Sequence, residues 1–263
     1  MKIDDKVMLS SITSSGREIL ASPMSFNITP NADAEIKRQA EFVYRSAGNV
    51  IWDGDYAQDD ILVHTWAKME FDGYLNYQIT VKAEKETSVD DISLEIPIRN
   101  DVAKYMMGMG RKGGYRPKEW RWKWNKELHQ DSVWIGDADA GMQIKLKGED
   151  YTWPLVNVHY RIKPLNIPDS WDNNGKGGCE IAEKDGNFVL RAYSGERSLK
   201  AGQELRFDFG LLITPVKPLD KKHWDTRYYH AYHPVEEIAK SEANNIIIHH
   251  GNDINPYINY PFI

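Results

Sequence analysis

The sequence predicts a mainly β protein: an antiparallel β-sandwich, followed by a short helix and one strand of an incomplete (β/α) barrel. Three observations carry that prediction. From Asn49 to Asn100, and again from Val133 onward, apolar residues recur at every second position, the period of a half-buried strand. The runs are short, about ten in all, and are separated by turn-forming residues, as in sandwiches. Near the C-terminus Ile246, Ile247 and Ile248 form a continuous apolar run, the mark of a strand buried on both faces in a parallel sheet.

Composition narrows the class further. The 263 residues are 41% hydrophobic and 27% charged, an ordinary globular balance that allows one large domain or one domain plus part of another. A net charge of -6 speaks against nucleic acid or an anionic membrane as partner, because either would call for a basic face. Nowhere is there an apolar run of about 18 residues that could span a membrane. The N-terminus lacks an apolar run of secretory length, so the expected location is cytoplasmic if Met1 is the native start and exported if the chain is an internal piece. The lone Cys179 excludes an internal disulfide and reads as a small buried apolar residue rather than a nucleophile.

In chain order, residues 3 to 28 read as short strands punctuated by Gly16 and Pro23. Residues 31 to 47 read either as a helix, with Ile36, Ala40 and Val43 near one face, or as a strand from Glu41 to Arg45. Leu75, Tyr77, Ile79 and Val81 alternate with Asn76, Gln78, Thr80 and Lys82, after a hairpin turn at Asp72-Gly73. Ile92, Leu94, Ile96 and Ile98 form another strand, where Pro97 suggests a sheet edge or a strand end. Residues 101 to 132 break the alternation in a Gly- and Trp-rich segment. Val133 to Ile135 and Met142 to Leu146 then flank a turn, GDADAG, whose second strand is expected to hold Lys145 and Lys147 in water. Residues 159 to 179 read as loop, and 187 to 194 and 203 to 213 as two more strands. These features predict a sandwich over 1–214, a linker over 215–232 and the start of a truncated barrel over 233–263. Pro234 opens the expected short helix of that last part.

Seven stretches in order resemble one family: MEFDGYL, YMMGMGRKGGYRP, VWIGDADAGMQIKLKG, SWDNNGKGGC, LLITPVKPLD, HWDTRYYH and IIIHHGNDINPYINYPF. Together they are similar to the N-terminal part of bacterial glycoside-hydrolase-like proteins laid out as in glycoside hydrolase family 123. The resemblance spans about residue 50 to the end. It implies a sandwich followed by a (β/α) barrel, a carbohydrate as partner, and an acidic pair on later barrel strands acting in substrate-assisted hexosaminide hydrolysis. It thus implies that the chain by itself holds no catalytic acids, and that the missing barrel is a further partner.

Several residues stand out as candidates for the glycan. His249, His250 and Asn252 follow a barrel-like strand, where active-site residues gather, although they could equally cap a strand end. Adjacent histidines on a strand point to opposite faces, which makes joint metal binding a poor fit. Arg111 and Tyr115 belong to GRKGGY, which could cradle a hydroxylated ligand or support an interface; it lacks the spacing of a phosphate loop. Trp171 and Asp172 open WDNNGKGG, expected as an exposed loop. Its Asp and Asn oxygens could ligate Ca²⁺, but turn formation explains the same composition. Trp120, Trp122 and Trp124 could stack on sugars, with structural packing the favoured reading. Asp137 and Asp139 read as turn residues before a catalytic pair. No cofactor and no metal are expected.

Overall fold

The computed structural model describes residues 1–126, 130–149 and 165–216, together with the strands Arg227–His230 and Asn245–Ile248. These fall into two compact units, Met1–Lys217 and Pro218–Ile263.

The first unit is built on two antiparallel sheets. The larger has nine strands, in the order Arg111–Tyr115, Tyr105–Gly108, Ser132–Gly136, Gly141–Lys147, Glu204–Thr214, Tyr74–Ala83, Ile61–Glu70, Asn49–Gln58 and Glu35–Arg45. The smaller has five: Glu119–Trp122, Gly178–Lys184, Asn187–Tyr193, Asp91–Ile98 and Ser25–Thr29. The period of two decides which side chains lie between them. Leu75, Tyr77, Ile79 and Val81 are all fully buried, as are Ile92, Leu94, Ile96 and Ile98. Rings bridge the layers: Phe26 of the small sheet meets Phe207 of the large one edge-on at 5.6 Å. Gln58 Nε2 donates across the gap to the carbonyl of Ile28 at 2.8 Å.

Residues 31 to 47 are not a helix. Glu35–Arg45 is an eleven-residue strand at the edge of the large sheet. Its Glu, Lys, Arg, Gln and Ala are good helix formers, but helix propensity is a weak term and pairing along Asn49–Gln58 overrides it. The Gly- and Trp-rich segment, where the alternation breaks, still supplies the strands Tyr105–Gly108, Arg111–Tyr115 and Glu119–Trp122. Pro97 lies in an interior strand, one residue from its end. The pairing with Ser25–Thr29 stops at Glu95, so Pro97 owes that neighbour no N–H.

In the second unit Arg227–His230 and Asn245–Ile248 pair in parallel, so RYYH, within the stretch read as linker, forms a strand beside the isoleucine run. The helix expected after Pro234 lies outside the described residues. Among the described residues no helix is long and apolar enough to cross a membrane.

Candidate functional site

GRKGGY becomes the outermost strand of the nine-stranded sheet. Tyr105 stands opposite Tyr115, their rings 5.1 Å apart. Tyr115 is 77% exposed and Met107 54%, so this edge presents an aromatic and thioether surface to solvent. Arg111 turns the other way. Its guanidinium lies 5.1 Å from the Trp120 ring, whose N–H donates to Met109 O at 2.8 Å. The structure thus brings Tyr115 to the surface and uses Arg111 partly for packing.

WDNNGKGG folds differently. Asp169–Asp172 is one helical turn, and Asn173, Asn174 and Gly175 then take successive positive φ values of 46, 56 and 83°. Trp171 is not exposed, contrary to expectation. It is fully buried, edge-on to Phe207 at 4.9 Å, and its N–H donates to Asp208 O at 2.9 Å. A ring of that size buries more area in the core than any loop contact offers, so Trp171 anchors the loop instead of meeting a ligand. The Asp172 carboxylate accepts the Gly175 N–H at 2.9 Å. Where a cation would find carbonyl oxygens, Lys123 Nζ already donates to those of Gly175, Lys176 and Gly177. Among the described residues no group of three or more His, Cys, Asp or Glu side chains could hold a metal.

The turn between Ser132–Gly136 and Gly141–Lys147 holds Asp137 as an anion. Burial by itself would raise its pKa. Arg17 at 2.8 and 3.0 Å, the backbone N–H groups of Asp139 and Ala140, and Lys104 at 3.2 Å hold it down to about 2. Asp139 is exposed and 4.0 Å from Arg17. The flanking glycines serve closeness, not a left-handed backbone: a Cβ on Gly136 or Gly141 would come within 2.8 or 3.0 Å of the Trp134 ring, which lies across both. Trp122 and Trp124 are buried and packed against each other at 4.9 Å. Cys179 is buried, and that burial pushes its thiol pKa upward. His249, His250 and Asn252 lie outside the described residues.

The outer face of the nine-stranded sheet, away from the core, departs most from expectation. Lys145 is buried, 8% exposed, and Lys147 is half-buried, so neither stands in open water. Burial lowers the pKa of both lysines. Beside them burial raises the pKa of Asp208, against the pull of Arg206, which grips it through two contacts of 2.9 Å. Lys147 Nζ donates to Asn76 Oδ1 and, at 3.3 Å, to Tyr74 Oη. Next to this cluster lies a pocket of about 240 Å³, lined by Asp72, Tyr74, Gln143, Lys145, Gly210 and Leu212. None of these residues was a candidate for ligand binding in the sequence. The one available signal was the clustering of charges at alternate positions on adjacent strands, and that needs the register to be read.

A family model described as glycoside hydrolase 123, third domain, matches residues 2–215. A second, described as glycoside hydrolase 123, TIM-barrel domain, matches residues 220–263. Among curated proteins nothing matches the chain. Among solved structures it is similar to a galactose mutarotase related enzyme from Lactobacillus acidophilus, at 7% identity and TM-score 0.46, covering 83% of this chain and 95% of that one. It is also similar to an alpha-N-acetylgalactosaminidase from Bifidobacterium bifidum, at 10% identity and TM-score 0.46, over 85% of this chain and 35% of that one. An alpha-galactosidase from Geobacillus stearothermophilus follows at 7% and 0.41, over 78% and 29%. The chain therefore spans about a third of either glycosidase.

Proposed function

This chain belongs to the glycoside hydrolase 123 family, and from that premise we propose that it is the non-catalytic β-sandwich portion of a glycoside hydrolase. In this role it supports a carbohydrate-active barrel and contributes residues to a glycan site. The observation that carries the reading is how the family match divides. Residues 2–215 fit a domain other than the barrel, and only 220–263 fit the barrel. Barrel enzymes place their catalytic groups at the C-terminal ends of several of eight strands, over roughly 250 residues. In this reading the catalytic acids are residues of the barrel and not of the sandwich.

The two carboxylates of the sandwich's turns, Asp137 and Asp172, fit the same view. A general acid must hold a proton near neutral pH, and a general base must be within reach of its substrate. Asp137 is held as an anion by Arg17 and Lys104, and Asp172 closes its own loop. In this reading Tyr115 and the adjoining Arg111 contact the glycan from the sheet edge. His249, His250 and Asn252 are a separate set of proposed glycan contacts. Asp172, whose carboxylate also accepts the Gly175 N–H, is a further proposed contact.

The test compares this 263-residue chain with a protein extended through the downstream coding sequence, on aryl β-hexosaminides and complex glycans. Hydrolysis by the longer protein alone is the expected result. Hydrolysis by the short chain would overturn the reading and return attention to Asp137, Asp139 and Asp172. A stand-alone carbohydrate-binding sandwich is the second reading, favoured by the solvent-facing Tyr115 ring. It requires glycan retention by the short chain and hydrolysis by neither protein.

A further inference from the structure

We infer that the outer face of the nine-stranded sheet carries a binding site for a single neutral sugar ring, in the pocket bounded by Asp72, Tyr74, Gln143, Lys145, Gly210 and Leu212. The choice of a sugar among polyhydroxylated ligands rests on the family reading above; the pocket does not.

Register builds the site. Gln143, Leu212 and Tyr74 stand side by side across three strands, and Lys145, Gly210 and Asn76 form the next row. The Tyr74 ring and Leu212 offer apolar surface for the C–H face of a pyranose. Around them Gln143 supplies a donor and an acceptor, Lys145 donors only, and Asp72 acceptors only. A set of mixed sign suits hydroxyls, which donate and accept, better than a net cation or anion.

The floor is shaped for occupancy. A Cβ on Gly210 would stand 2.9 Å from Tyr74 Oη, so the glycine leaves room for the tyrosine to lie across its strand. Lys147 fixes the Tyr74 oxygen as an acceptor, which leaves the phenolic O–H to be donated. The volume of about 240 Å³ lies below the roughly 300 Å³ at which drug-sized pockets begin, which fits one ring and not an oligosaccharide. A sheet face that only had to stay soluble would leave its lysines in water. Here Lys145 instead stands beside Asp131 at 4.0 Å and Lys147 donates to Asn76 and Tyr74, so both are held at the pocket.

The experiment titrates the 263-residue chain with the methyl glycosides of galactose, glucose, N-acetylgalactosamine and N-acetylglucosamine, following backbone amide shifts by NMR. At least one sugar is expected to shift the amides of Gln143, Gly210 and Leu212 along a saturating curve. Gln143→Leu removes hydrogen bonds at a half-buried position and should weaken that binding about five- to tenfold. Gly210→Ala should weaken it at least as much by displacing Tyr74. Should Gly210→Ala fail to fold, Gln143→Leu decides alone. No shift at these amides with any of the four sugars would overturn the inference, and so would unchanged affinity in the folded variants. Hydrolysis by the extended protein plays no part in this readout, so the two proposals fail separately.

Discussion

Two segments of this chain each hold three glycines, one lysine and one aromatic residue, and they meet opposite fates. GRKGGY is drawn out as an edge strand and leaves Tyr115 in solvent, whereas WDNNGKGG closes on itself and sinks Trp171 into the core. What separates them is where the backbone groups find partners. Residues 111–115 bond to the neighbouring strand Tyr105–Gly108. In the second segment Asp172 and Lys123 satisfy the N–H and C=O groups that no strand reaches. Backbone polar groups that leave a sheet need such local partners. The lesson is that glycine content marks backbone freedom, while side chains outside the glycine run decide how that freedom is used.

The comparison can be broken by substitution. Its largest expected effect is at the aromatics: Trp171→Ala should cost about 3–5 kcal/mol by denaturant unfolding, and Tyr115→Ala less than about 0.5 kcal/mol. Equal losses would mean that Tyr115 is packed, not presented. The glycines come next. A Cβ on Gly177 would lie 1.7 Å from the Trp171 carbonyl oxygen, while one on Gly114 meets nothing within 4 Å. Gly177→Ala should therefore destabilise by about 3 kcal/mol and Gly114→Ala should be near neutral, read as melting temperatures.

The Asp137 turn resembles the closed loop in being held by side chains, and acid should expose it. Its folded pKa of about 2 lies below the ordinary 3.8, so its contribution is complete above about pH 4 and fades as the pH falls toward 2. About 2 kcal/mol should be lost over that window, and Asp137→Asn should remove the corresponding part of the pH dependence. Smallest is Lys123→Met, expected to cost about 1–2 kcal/mol by freeing the carbonyls of Gly175, Lys176 and Gly177. A loss confined to faster amide exchange at 173–178 would place Lys123 as a local clasp; a global loss would tie it to the core.

Legibility followed the same division. The alternation of Leu75 to Val81 and of Met142 to Leu146 named core residues correctly, because a half-buried strand must repeat every two positions. Residues 35–45 were ambiguous, because their helix-forming side chains say nothing about a partner strand whose paired residues lie 5 to 22 positions away. The candidate pocket was illegible. Its six residues come from the turn before Tyr74–Ala83, from that strand itself, and from Gly141–Lys147 and Glu204–Thr214, which meet only through register.

By itself the sequence determined the class of the fold, the inward faces of its central strands and the family, since these depend on local periodicity and on motifs in order. Only the tertiary structure decided that Lys145 and Lys147 leave open water, that Trp171 is core, and that Tyr74 and Gln143 share a pocket. The reason is physical. Whether a residue faces in or out along a strand is a property of its neighbours in sequence. Whether an outward face is then buried, and what stands beside each residue, depends on segments far along the chain.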